Sequence, residues 1–427
     1  MGLTGQESVP EVTDTRTLKA RFGDVRRQTM QLVAPLSSED AMLQSMPDAS
    51  PAKWHLAHTT WFFETFVLRE FDLNYRSPDD RFHGLFNSYY KQLGDHPQRG
   101  ARGLFSRPTV EQVFAYRQHV DQAVEQLLAA SGADPDILQR VELGLHHEQQ
   151  HQELILTDIK HAFWSQPLQP TYGAATVRHA PAPGHRAEWI RFPGGIISVG
   201  HEGEGFAFDN ELPRHEVLIR PFVLRSRLVT NAEYLEFIAD GGYARPELWL
   251  SQGWDTVLRE RWSAPLYWRR EGREWIVFTL AGDRRLCADE PVCHVSYYEA
   301  DAYARWRGAR LALEAEWETA AAAVPVIGNF IESGRLHPEP ANPGHGLQQM
   351  FGDVWQWTSS PYVAYPRYRA KEGALGEYNG KFMCDQWVLR GGSCATPRSH
   401  MRASYRNFFP AQARWQFSGI RLAQDAE

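Results

Sequence analysis

Between Gln166 and Ala187 the chain loses every hydrophobic period and turns rich in Pro, Gly and Ala (Pro167, Pro170, Gly173, Pro181, Pro183, Gly184). Before it, apolar residues recur at helical spacing; after it, they fall in short runs punctuated by glycine. Two periodicities joined by such a segment do not share one continuous core. The expected organisation is a helical domain at 15–165, a linker at 166–187 and a second domain at 188–427. A length of 427 residues agrees, being more than one ordinary core supports.

In the first part, Leu18, Phe22, Val25, Thr29 and Leu32 predict one amphipathic helix. Ser50-Pro51 predicts the start of a second, with Ser50 as cap and Pro51 in the first turn. Thr109 and Gln112 predict a capping box for a third, and Pro135 opens a fourth that runs to about Phe163. The Tyr- and Arg-rich stretch 71–107 is the long crossover of an antiparallel four-helix bundle, a fold that builds metal sites from facing helices. Beyond the linker, strands and tight turns with few helices predict an irregular α+β domain. Capping boxes at Thr230–Glu233 and Ser296–Glu299 mark two of those helices.

The fourth helix carries His146-His147-Glu148-Gln149-Gln150-His151. At about 100° per residue, His147 and His151 stack on the face that Ile137, Ile155 and Ala162 continue, Gln150 lies at its edge, and His146 points away. Such a pair is the usual way for a helix to offer two adjacent metal ligands, although hydrogen-bonded core histidines give the same pattern. A third ligand decides, and the second helix offers one: His58 projects from an aromatic stripe of Trp54, Trp61 and Phe62. An imidazole there is costly to bury unless bonded or ligated; His55 lies about 60° further round.

Net charge is −7 and there is no basic stripe, which argues against nucleic-acid or anionic-membrane binding. No apolar run approaches membrane-spanning length, and the amino terminus lacks a signal-peptide core. Four cysteines without a Cys–x2–Cys pair predict free thiols and a cytoplasmic location.

Five motifs then carry a resemblance: Pro291-Val292-Cys293-His294-Val295-Ser296-Tyr297, Arg310-Leu311 with Glu314-Ala315-Glu316-Trp317-Glu318, Gly352-Asp353-Val354-Trp355-Gln356-Trp357, Arg390-Gly391-Gly392-Ser393 and Gly419-Ile420-Arg421. The second part resembles the formylglycine-generating (sulfatase-modifying-factor) type of C-type-lectin-like domain. The first resembles the DinB-like helical bundle, whose three-histidine site matches His58, His147 and His151. The two in this order resemble the ergothioneine-biosynthesis sulfoxide synthases over nearly the whole chain.

That resemblance implies a multidomain α and α+β protein with one non-haem iron(II). With O2 as co-substrate it would join hercynine to cysteine, giving S-(hercyn-2-yl)-cysteine sulfoxide. It selects His58 over His55, places Gln150 against the hercynine ring, and puts Asn407, Phe408 and Phe409 at the hercynine end. An aromatic wall suits a quaternary ammonium. Arg99 and Arg102 match the pair that holds the thiol donor's carboxylate. The tyrosine that supplies a proton in the actinobacterial branch is replaced by Gln386, and Tyr89-Tyr90 resembles the alternative arrangement, without a choice between the two. Phe409 stands where that branch has an aspartate, which argues for free cysteine over γ-glutamylcysteine. Selenoneine formation from a selenosugar, a zinc-dependent thiol transferase and a non-catalytic binding module are the alternatives. Ser399–Tyr405 lacks the paired cysteines of formylglycine generation.

Overall fold

The structure, a computed structural model, describes residues 15–130, 134–173 and 187–426. Helices α1 (Thr15–Val33), α2 (Ala52–Phe63), α3 (Val110–Ala130) and α4 (Pro135–Ser165) form the bundle, with α4 packed on α1 and α2, and α2 also on α3. Leu18, Phe22 and Val25 of α1 are buried as their spacing requires, as are Val113, Val120 and Val124 of α3. Thr109 and Gln112 form the expected reciprocal cap at 2.8 and 3.2 Å. Ser50 does not cap α2. Its N–H donates to Asp158 at 2.8 Å and its hydroxyl accepts from Arg102 at 2.9 Å, so tertiary partners outcompete the local cap.

Gly144 decides how closely α2 approaches α4. A Cβ there would lie 2.4 Å from the Phe63 ring, inside any allowed contact. Only glycine lets the two histidine-bearing helices come this near.

Much of the expected linker, residues 174–186, lies outside the described residues. Its beginning is tied down: Tyr172 N–H donates to Leu280 O at 2.8 Å, and the Tyr172 hydroxyl to Leu32 O. In the second part, one four-stranded sheet runs in the order Trp189–Phe192, Phe222–Arg225, Leu422–Asp425, Arg310–Leu311. Another runs Asn407–Phe409, Trp387–Arg390, Trp355–Pro361, Ser418–Gly419. Both predicted capping boxes are present. The motif residues are internal struts. Arg390 is fully buried against Glu318 at 2.8 Å, and Gln356 Oε1 accepts from Arg421 Nε at 2.7 Å and Trp317 Nε1 at 2.8 Å.

α4 belongs to both parts. Glu153 accepts from Trp355 Nε1 at 2.8 Å, Ser393 Oγ at 2.5 Å and Thr396 Oγ1 at 2.6 Å, while Gln149 donates to Ser399 at 2.7 Å. No helix among the described residues is long and apolar enough to cross a membrane.

Candidate metal centre and substrate cavity

His58, His147 and His151 are buried, and one ligand atom from each lies within 4.8 Å of the others, the only such cluster of metal-binding side chains among the described residues. The His58 ring sits between Trp54 and Trp61, at centroid distances of 4.5 and 5.4 Å. Its Nδ1 lies 2.7 Å from Phe86 O. A carbonyl only accepts, so Nδ1 carries the proton and Nε2, which has no partner, keeps its lone pair. Both ring nitrogens of His147 are likewise buried without a partner.

His151 is held by a chain that sequence spacing did not reveal. Its Nδ1 is 2.8 Å from Nδ1 of His55, whose Nε2 is 3.1 Å from Asp158. The Asp158 carboxylate oxygen accepts from His55 Nε2–H, so His55 Nδ1 accepts from His151 Nδ1–H and leaves the lone pair of His151 Nε2 free. This carboxylate–histidine support is the usual second layer of a metal site. Burial first, then the neighbouring imidazoles, holds His58 and His151 well below the usual histidine range, and burial pushes His147 down to about 3. Three neutral imidazoles with aimed, unused lone pairs fit a first-row divalent metal.

Beneath the cluster, Glu148 anchors α4 to the bundle. It accepts from Arg26 at 2.7 Å and Thr29 at 2.6 Å and pairs with Arg117. Burial pushes its carboxyl up, but Arg117 and Arg26 outweigh that and hold it down to about 2.

The cluster opens on a cavity of ≈ 370 Å³ between the two parts. His58, His151, Tyr89, Arg99, Arg102 and Gln150 line it from the bundle side; Asn407, Phe408 and Phe409 line it from the other. Gln150 is fixed at both ends: Oε1 accepts from the Tyr378 hydroxyl at 2.5 Å, and Nε2 donates to the Tyr405 hydroxyl at 2.8 Å. Tyr405 is 3.0 Å from His400 Nε2, and His400 Nδ1 is 2.9 Å from His146 Nδ1. His146 thus faces away from the three-histidine cluster, as expected, into a relay that steadies Gln150.

Arg102 is buried with its guanidinium 3.4 Å above the Trp54 ring, donating to Ser50 at 2.9 Å and Ser88 at 2.8 Å. Among the described residues no carboxylate reaches ion-pair distance of it, and burial, with help from Arg99, pushes it down to about 9. Arg99 is more open and reaches Asp48. Tyr90 does not line this cavity; it is buried behind Tyr89, ring centroids 4.8 Å apart, and faces the far side of His147. Sequence reasoning missed Tyr378 and Gln416, whose amide is buried against the cavity with both polar atoms unpartnered.

Comparison with known proteins follows the same division. Residues 21–155 match the DinB superfamily, and residues 174–344 with 337–426 match the Sulfatase-modifying factor enzyme 1-like domain. The chain is 33% identical to a hercynine oxygenase of Mycolicibacterium smegmatis, an alignment covering 96% of this chain and 99% of that protein. This chain belongs to the hercynine oxygenase family. The hercynine oxygenase of Mycobacterium tuberculosis is 32% identical over 97% of this chain and 100% of that protein. A formylglycine-generating enzyme of Streptomyces coelicolor is 30% identical over 56% of this chain and 89% of that protein.

Proposed function

We propose that this member of the hercynine oxygenase family is an iron(II)- and O2-dependent enzyme that joins hercynine to cysteine, yielding S-(hercyn-2-yl)-cysteine sulfoxide. The observation that carries this reading is the three-histidine cluster opening, through His58 and His151, on one cavity that also holds a buried arginine without an acid and an aromatic wall. His58, His147 and His151 would hold the iron, which when bound supplies dioxygen activation.

The chain's own groups divide the remaining work. Gln150, fixed by Tyr378 and Tyr405, presents its amide to the hercynine imidazole. Phe408, Phe409 and Phe382, with Asn407, surround the quaternary ammonium end. Arg102 binds the donor's carboxylate in a fork of charge-assisted hydrogen bonds, assisted by Arg99. The Tyr89–Tyr90 pair, pushed up by burial, stays protonated and able to give a proton.

The site favours free cysteine. Among the described residues Glu153 is the one acidic side chain lining the cavity, and it is already committed to Trp355, Ser393 and Thr396. γ-Glutamylcysteine carries its single ammonium on the glutamyl head, where Phe409 supplies no counter-charge, and a selenosugar would leave Arg102 without an anion. The test is to load the anaerobic protein with iron, add hercynine and cysteine, admit air and follow the sulfoxide by mass spectrometry. Unconsumed hercynine would refute the assignment. γ-Glutamylcysteine and a selenosugar in competition report the donor. Metal analysis of anaerobically purified protein separates iron from the zinc of a thiol transferase.

A further inference from the structure

His147 has a second cavity at its back. It measures ≈ 30 Å³ and ends on Phe62, Tyr90 and His147, all buried. Its outer rim is formed by Leu143, Ala207, Leu375 and Lys371, which are partly or fully exposed. Phe208, Tyr378 and Asn379 line both this cavity and the large one, so they are the wall between them.

The polar groups of that wall are spent. Asp209 accepts from Asn379 at 2.5 Å and from Tyr368 at 3.0 Å, and the Tyr378 hydroxyl donates to Gln150 on the other side. The Tyr90 phenol is paired with Tyr89. At the buried end only the His147 ring is left unpaired, fewer than the two to four polar partners an ordered water needs, whereas a small apolar cavity stays dry and takes up apolar gases. Its volume suits one diatomic molecule.

We propose that this cavity is a staging site for dioxygen, delivering it to the histidine cluster past Phe62 and Tyr90. The proposal rests on the oxygenase reading above and adds a route to it. In that reading hercynine and the thiol occupy the large cavity, and the small one is a separate approach for the third reactant. An apolar entry behind Tyr378 lets the gas arrive last, after the organic substrates are seated.

Xenon tests the cavity without turnover. Crystals of the full-length, metal-free protein under xenon pressure should show an atom bounded by Phe62, Leu143, His147 and Leu375. Leu143→Trp and Ala207→Phe, two independent ways of filling the rim, should remove that atom. In the iron-loaded enzyme both should raise KM for O2 severalfold while KM for hercynine and for the thiol stays unchanged. Absence of xenon in the wild type overturns the proposal, as does an unchanged O2 dependence in variants that exclude xenon. A wild type that binds xenon yet consumes no O2 with hercynine and thiol overturns the oxygenase reading instead, leaving a cavity with nothing to deliver.

Discussion

Replacing Arg102 by Gln separates stability from binding, because the two respond to different parts of its environment. Burial pushes the guanidinium down to about 9. At about 1.4 kcal/mol per tenfold in proton affinity, that fall corresponds to a cost on the order of 5 kcal/mol for keeping the charge dry. Against it stand the Trp54 stack, worth about 2 kcal/mol when desolvated, and two hydrogen bonds to serines at about 1.5 kcal/mol each. The terms nearly cancel, so Arg102→Gln should leave thermal stability within about 1 kcal/mol of the wild type. Donor binding has no such compensation. Losing a buried charged partner costs about 2–5 kcal/mol, a roughly 30-fold to several-thousand-fold rise in the thiol's KM. Thermal melts and steady-state kinetics with cysteine varied at saturating hercynine measure both. An unchanged KM for cysteine would refute the reasoning; a large loss of stability would show that the charge is compensated by something other than the two serines and the indole.

Other outcomes follow from the same geometry. His58→Ala and His147→Ala should each abolish stoichiometric iron in the purified protein, read by metal analysis. Asp158→Asn should weaken metal affinity about 10–100-fold, because the His55–His151 chain loses its anion; a chelator titration measures it. Gly144→Ala should cost about 1–3 kcal/mol by overpacking against Phe63 and should lower metal affinity as α2 and α4 separate, seen in denaturant melts and metal titration. Tyr→Phe at 89 and 90 should divert turnover from sulfoxide to sulfur-only oxidation of the thiol, and unchanged product ratios in both would remove them from the mechanism. Stability should fall with acid: burial holds His294 and His400 well below the usual range and His337 at about 4, so the unfolded chain binds more protons there. Their contribution is complete above about pH 6.5 and is lost as pH falls toward 4, at up to about 1.4 kcal/mol per pH unit for each group. A melting temperature flat from pH 7 to 5 would contradict this.

The residues that sequence made legible are those tied to a regular period. His147 and His151 follow from helical spacing, and His58 from its place between Trp54 and Trp61, because both helices are long enough for the period to fix the buried face. The caps at Thr109, Thr230 and Ser296 were readable because they close within four residues. Ser50 was misread because its partners, Asp158 and Arg102, are 108 and 52 residues away. The His55–Asp158 support left a faint signal: Asp158 lies two helical turns beyond His151 on the same face. Tyr378 left none, since it stands in an irregular loop where nothing local aims a side chain.

All three imidazoles belong to the amino-terminal bundle, whereas the Asn407–Phe409 strand, Tyr378 and Tyr405 come from the far end of the chain. On a ribosome the metal-binding donors are therefore synthesised long before the walls that give them a substrate. At about 5–20 residues per second, the interval is on the order of tens of seconds. A metal that reached the histidines in that interval would do so before the substrate cavity had its far wall.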